Sequence, residues 1–227
     1  MLCPYCLERE SDTQDHVVPE GLFDVAPPGG YIKVPACEPC NNGHSRDEEY
    51  FLFMILAEAT FTSDVANRVL DRMANDHRSG RRRRIGLVKA VQAKLRPASI
   101  YTPAGIYLGR GGATELDTSR VNRVLVKMIR GLYFHEFGAP LPQAAAVFVE
   151  IKPEAEHLQL PPVQAALAAP PKHLADVFSY RVWALPGWEA YTSWALGFYD
   201  SVLAIGVTAQ PDLLEPARVA GRRRTRG

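Results

Sequence analysis

Apolar and polar positions divide this chain into stretches of different period. Residues 1–44 show no sustained period and are rich in turn formers, Pro4, Pro19, Gly21, Pro27, Pro28, Gly29 and Gly30 among them. From 45 to 77 the pattern turns helical. Tyr50, Phe53, Met54 and Ala57 recur at helical intervals, and Ser45 with Glu48 has capping-box spacing. A second helix is expected from Ser63, with Val65, Val69, Leu70 and Met73 on one face. The run Arg78 to Arg84 then reads as a boundary or exposed loop.

Beyond it the period alternates. Ile100–Thr102 and Ile106–Leu108 flank Pro103-Ala-Gly105 as a hairpin. Asp117 or Thr118 caps an amphipathic helix over 118–136, with Val121, Val124, Leu125, Met128, Ile129 and Leu132 on its apolar face. Ala146–Ile151 reads as a strand. Val177–Ala184, Ser193–Tyr199 and Val202–Thr208 read as successive antiparallel strands rich in aromatic and branched residues. The expectation is an α+β protein. Its segments are a module over 1–60, a helix and basic linker over 61–84, an α+β domain over 85–215 and a disordered basic tail over 216–227.

Composition narrows the picture. At 227 residues and 47% hydrophobic the chain can bury a good core. A net charge of +1 requires any nucleic-acid affinity to come from local patches. No basic and apolar leader precedes Cys3, and no apolar run is long enough for a bilayer, so a cytoplasmic protein without membrane partners is expected.

The four cysteines carry the strongest chemical signal. They form two pairs, Cys3-Pro-Tyr-Cys6 and Cys37-Glu-Pro-Cys40. Each C-x-x-C turn aims two thiolates at one point, and two such turns supply the tetrahedral sulfur set that Zn²⁺ prefers. In a reducing cytosol thiolate ligands are favoured over two disulfides. A segment this short of core residues also needs a structural metal to hold it together.

Asp15-His16-Val-Val-Pro19 lies between the pairs, and Asn41 follows the second directly. Together these residues resemble the HNH endonuclease family in its zinc-stapled, ββα-metal form, over about the first fifth of the chain. The resemblance implies a hairpin strand ending in the Asp-His pair, a facing helix that starts at the second cysteine pair, and zinc tying the two together. It implies His16 as the general base that takes a proton from water, a role suited to a side chain whose ordinary pKa lies near neutral. It implies Asp15 and Asn41 as oxygen ligands of a catalytic Mg²⁺ or Mn²⁺, a hard ion able to neutralise phosphate charge. The substrate would be DNA, with RNA left open, cut to 5′-phosphate and 3′-hydroxyl ends in bacterial defence, phage or mobile-element biology. The family's middle asparagine is missing: its place falls near Ile32, where a backbone carbonyl would have to orient the histidine.

Other residues divide between contact and scaffold roles. Arg81, Arg82, Arg83 and Arg84 are candidates for gripping phosphates, as is His44, while Asn42 and His44 compete with Asn41 for the ligand role. Asp47, Glu48 and Glu49 suit a helix first turn. Arg120, Arg123, Lys127 and Arg130 read as a solvated helical face, Trp183, Trp188, Tyr191 and Trp194 as sheet core, and His135-Glu136 as structural. The C-terminal region would bind substrate, a partner or a second copy of the chain as a homodimer. Two other functions fit the same residues: a non-catalytic zinc module that binds nucleic acid or protein, and a zinc-stabilised regulator whose activity lies in the C-terminal region.

Overall fold

A computed structural model describes residues 1–59, 62–78, 96–101, 104–113, 117–188 and 190–210. Strands β1 (Thr13–His16) and β2 (Lys33–Ala36) pair antiparallel, with Asp15 opposite Val34 and His16 opposite Lys33. A single 3₁₀ turn, Glu20–Leu22, lies in the loop between them. Helix α1 (Glu38–Asn42) follows at once, its N-cap being Cys37, and is little more than one turn long. Helices α2 (Ser45–Ala59) and α3 (Asp64–Arg78) come next.

Helix α3 starts one residue after the expected Ser63, which caps it instead, its Oγ accepting the Ala66 N–H. The capping box expected on α2 does not form. Ser45 Oγ donates to the Asn42 carbonyl, and the Glu48 carboxylate goes to Lys127 instead. A buried ammonium that needs a counter-charge is a stronger partner for a carboxylate than a solvated backbone N–H.

The hairpin of β3 (Arg96–Tyr101) and β4 (Tyr107–Ala113) brackets the expected turn, with a bulge between Ile100 and Tyr101. Helix α4 (Thr118–Phe137) begins at the Asp117 N-cap and ends at Gly138, whose φ of 68° suits a residue without a Cβ. Strand β5 (Ala146–Ile151) and helix α5 (Pro161–Ala168) precede β6 (Lys172–Leu174), β7 (Phe178–Ala184), β8 (Thr192–Phe198) and β9 (Val202–Ala209). The last five strands form one antiparallel sheet in the order β5-β9-β8-β7-β6. The architecture is α+β. Helix α5 and strand β6 escaped the sequence pattern because each is short, and α5 begins at two prolines that read equally as a turn.

Core side chains from both ends of the chain meet. Val17, Val18, Leu22, Phe23 and Val34 are buried in the same apolar cluster as Val124, Leu125, Met128, Trp194 and Phe198. The expectation that 1–44 lacks core residues is therefore corrected: its few apolar side chains have no partners nearby in sequence, and α4 and α2 cover them. Two close approaches make this possible. A Cβ at Gly206 would meet Ile129 Cδ1 at 2.1 Å, and one at Gly131 would meet Val17 Cγ2 at 2.8 Å and the Tyr5 hydroxyl at 2.9 Å. Of the aromatics expected in the sheet core, Trp194 is fully buried and bonded to Thr192 Oγ1, whereas Trp188 is 48% exposed. Glu136 is structural as expected, joining Lys172 and the Tyr180 hydroxyl across α4 and the sheet. No helix among the described residues is long and apolar enough to cross a membrane. The basic run 81–84 and the tail 216–227 lie outside the described residues.

Candidate functional site

The two cysteine turns fold as two different knuckles that converge. In the first, Leu7 N–H returns to the Cys3 carbonyl at 2.9 Å, and Cys3 N–H is held by the Arg9 carbonyl at 2.8 Å. Leu7 takes a left-handed φ of 58° to close this turn. In the second, Cys37 follows β2 and opens α1, so that the N–H groups of Cys40 and Asn41 both bond its carbonyl. Asp12 locks the knuckles in register by accepting the Glu38 N–H at 2.8 Å.

The four sulfurs lie within 4.8 Å of one another, with Cys6 and Cys37 Sγ atoms 3.9 Å apart. A tetrahedron with metal–sulfur bonds of about 2.3 Å has edges of roughly 3.8 Å, so the group fits Zn²⁺. All four cysteines are free thiols. Burial pushes the Cys6 thiol up, yet backbone N–H groups of Glu8 and Arg9, with the neighbouring sulfurs, bring it down to about 7. Burial first, then the sulfurs of Cys37, Cys3 and Cys6, push the Cys40 thiol up. Four sulfurs this close cannot all ionise without a cation among them.

This cluster sets the position of the remaining residues. Asn41, on α1, donates its side-chain amide to Thr13 Oγ1 at 3.1 Å and to the Gln14 carbonyl at 3.2 Å. It is therefore clasped to β1 beside Asp15 and His16. His16 ends β1 with its side chain 30% exposed. Its ring packs edge-on against Tyr31, centroids 4.8 Å apart, and its Nδ1 lies 3.9 Å from the Glu20 carboxylate. The Ile32 carbonyl, at the site of the missing asparagine, accepts the Val17 N–H at 3.0 Å. In the loop that follows the histidine, Arg72 binds the carbonyls of Phe23 and Asp24, and Arg68 pairs with the Asp24 carboxylate.

Asp15 faces the other way. It is 4% exposed, with Oδ2 accepting the Tyr5 hydroxyl at 2.5 Å and Oδ1 accepting Lys127 Nζ at 2.9 Å. Lys127 is equally buried and also bonds Glu48 at 2.7 Å. Its ammonium lies 5.7 Å from the centre of the Tyr5 ring. Burial alone would lower the lysine pKa, but Glu48 and Asp15 together raise it, so the ammonium stays charged. Burial and the charge of Asp15 push the Tyr5 hydroxyl far up, fixing it as a donor.

These contacts overturn the expectation of a solvated basic face on α4. Arg120 and Arg123 both pair with Asp47, at 2.8 and 2.6 Å, and Lys127 continues the row inward. The acidic first turn of α2 and the basic row of α4 are complementary surfaces in contact. Their charges were legible singly, but the pairing of distant segments was not. His44, ahead of α2, is half-buried and near this group. Burial first, and Lys127 second, lower its pKa, which weakens it as a charged phosphate contact.

A hydrated Mg²⁺ or Mn²⁺ fits poorly on Asp15. Such an ion keeps several waters, and both oxygens of this carboxylate are already bonded in a nearly sealed space. Tyr5, Glu48 and Lys127 were not identified as site residues from the sequence. No family model, no curated protein and no solved structure matches this chain.

Proposed function

We propose that the chain is a nucleic-acid phosphodiester hydrolase of the zinc-stapled HNH type, with His16 as general base. One observation carries the reading: Asn41, anchored beside the sulfur cluster, reaches across to the main chain immediately before Asp15-His16. The sequence elements that the resemblance joins are thus adjacent. Zn²⁺ on Cys3, Cys6, Cys37 and Cys40 holds β1 against α1 and takes no part in the reaction. Tyr31 packs against the His16 ring and Glu20 lies 3.9 Å from its Nδ1, beyond hydrogen-bond distance, and Nε2 would accept a proton from the attacking water.

Substrate contact has support beyond the site. Arg78, Arg81 to Arg84, Lys89, Lys94, Arg96 and Arg110 follow one another with no Asp or Glu between Asp76 and Glu115. In a chain of net charge +1 this is a concentrated positive segment, suited to the phosphate backbone. The hairpin β3–β4 within it presents Tyr101 and Tyr107, 58% and 54% exposed, with their rings 5.5 Å apart. Exposed aromatic rings within an arginine-rich segment suit stacking on bases.

A second reading, a zinc module that binds nucleic acid without cutting it, is favoured by one specific fact. Asp15 is fully used in holding Lys127 and Tyr5, a structural role that needs no catalysis. A nicking assay on supercoiled plasmid and single-stranded DNA, with zinc-loaded wild-type protein and His16→Ala, separates the two. Cleavage by wild type, reduced about 10²–10⁴-fold in the variant, supports the hydrolase. Binding without cleavage in either protein supports the module.

A further inference from the structure

The second cation centre beside the zinc cluster already contains a cation. Lys127 Nζ donates to Asp15 at 2.9 Å and to Glu48 at 2.7 Å, and its third face turns to the Tyr5 ring. Two carboxylates around one ammonium, with Tyr5 closing the far oxygen of Asp15, is the arrangement that oxygen ligands make around a divalent ion. The ammonium comes from α4, 112 residues further along the chain, and Gly131 one turn later lets that helix approach closely.

We propose that Lys127 is the resident cation of this centre, holding the place on Asp15 that a divalent metal would take, so that the folded protein binds no second metal there. The catalytic meaning of this occupancy rests on the hydrolase reading; the occupancy itself does not. The ammonium places one permanent positive charge between Asp15 and Glu48, where a dissociable ion would be held only above its dissociation constant. It is also sealed from solvent, so its role toward any reaction at His16 is positioning: it fixes Asp15, and through Asp15 the end of β1.

The test is Mn²⁺ binding to the full-length, zinc-loaded chain, followed by electron paramagnetic resonance and by thermal shift, neither of which requires cleavage. Wild type and Asp15→Asn are expected to show the same lack of bound Mn²⁺ at millimolar concentrations. Lys127→Ala, left with two unneutralised carboxylates, is expected to be less stable and to regain melting temperature with Mn²⁺, while wild type does not move. Mn²⁺ bound one-to-one by wild type and lost in Asp15→Asn would overturn the proposal. An equal Mn²⁺ response of wild type and Lys127→Ala would do the same. Should Lys127→Ala fail to fold, the wild-type and Asp15→Asn comparison decides alone. A failed hydrolase reading would instead show as absent cleavage, with the Mn²⁺ results unchanged.

Discussion

Lys127 and Asp15, 112 residues apart in the chain, meet at 2.9 Å with both side chains almost wholly buried. This ion pair joins the cysteine-pinned hairpin to α4, and most consequences of the fold for the site pass through it.

Asp15 and His16 are adjacent in sequence but should fail in different ways when changed. His16→Ala removes a partly exposed ring from the end of β1 and should leave zinc content and melting temperature nearly intact while slowing cleavage about 10²–10⁴-fold. Asp15→Ala leaves a buried ammonium short of one partner, a change that costs about 3–5 kcal/mol where the pair is lost outright. Its loss of activity should come with a lower melting temperature, and added Mg²⁺ should not restore either. Parallel thermal melts and plasmid assays check this, and an Asp15→Ala protein of wild-type stability would contradict the buried network.

Gly131 offers a test of how closely α4 approaches the hairpin. In an exposed helix, Gly→Ala gains about 1 kcal/mol. Here the new Cβ would meet the Val17 methyl groups and the Tyr5 hydroxyl below 3 Å. Gly131→Ala should therefore destabilise the protein by about 1–3 kcal/mol, the usual cost of overpacking. Chemical denaturation settles the sign.

Acid should weaken the α2–α4 contact in a defined direction. Hydrogen bonds from Arg123, then Arg120, hold the Asp47 carboxyl below its ordinary value against the opposing effect of burial. For Glu136, burial pushes upward but Lys172 and Tyr180 win, and its pKa is also lowered. A carboxylate with a depressed folded-state pKa contributes stability that is present above its unfolded value, near 4, and is lost as pH falls through the folded one. Stability should thus drop below about pH 4, and Asp47→Asn should flatten that part of the profile.

Removing zinc should act locally first. Because Val17, Val18, Leu22 and Phe23 belong to the shared core, chelation should free the two knuckles while β5–β9 stay protected. Hydrogen exchange with and without a chelator reads this directly. Equal loss of protection in β8 would mean that the cluster supports the whole fold.

Changing Arg81 to Arg84 to Ser should weaken DNA binding on every sequence. The slope of log affinity against log salt should shrink by about 0.9 for each duplex phosphate no longer neutralised. Fluorescence anisotropy across a salt series measures it, and an unchanged slope would make the run a solvated linker.

What was legible in the sequence was local. The α4 periodicity, the Asp117 cap and β5 emerged with nearly their observed limits because one stretch of chain contains the whole signal. The cysteine tetrad was legible for the same reason, since two pairs of one residue type at a short spacing suffice to build a four-sulfur cluster. The partners of Asp15 were not. Tyr5 lies inside a cysteine turn and Lys127 inside an amphipathic helix, and each has an ordinary local explanation. Only the tertiary docking of α4, permitted by the missing side chain at Gly131, turns them into one buried network.

The strand order has a bearing on synthesis. Strand β9 is the last described element and lies between β5 and β8, so the five-stranded sheet cannot close until Val202–Ala209 has left the ribosome. The cysteine knuckles emerge well before that strand, and the backbone hydrogen bonds that shape them lie within residues 1–41. Late in translation the nascent chain therefore carries all four thiols of the cluster beside an unfinished core, with Met128, Ile129 and Leu132 still uncovered.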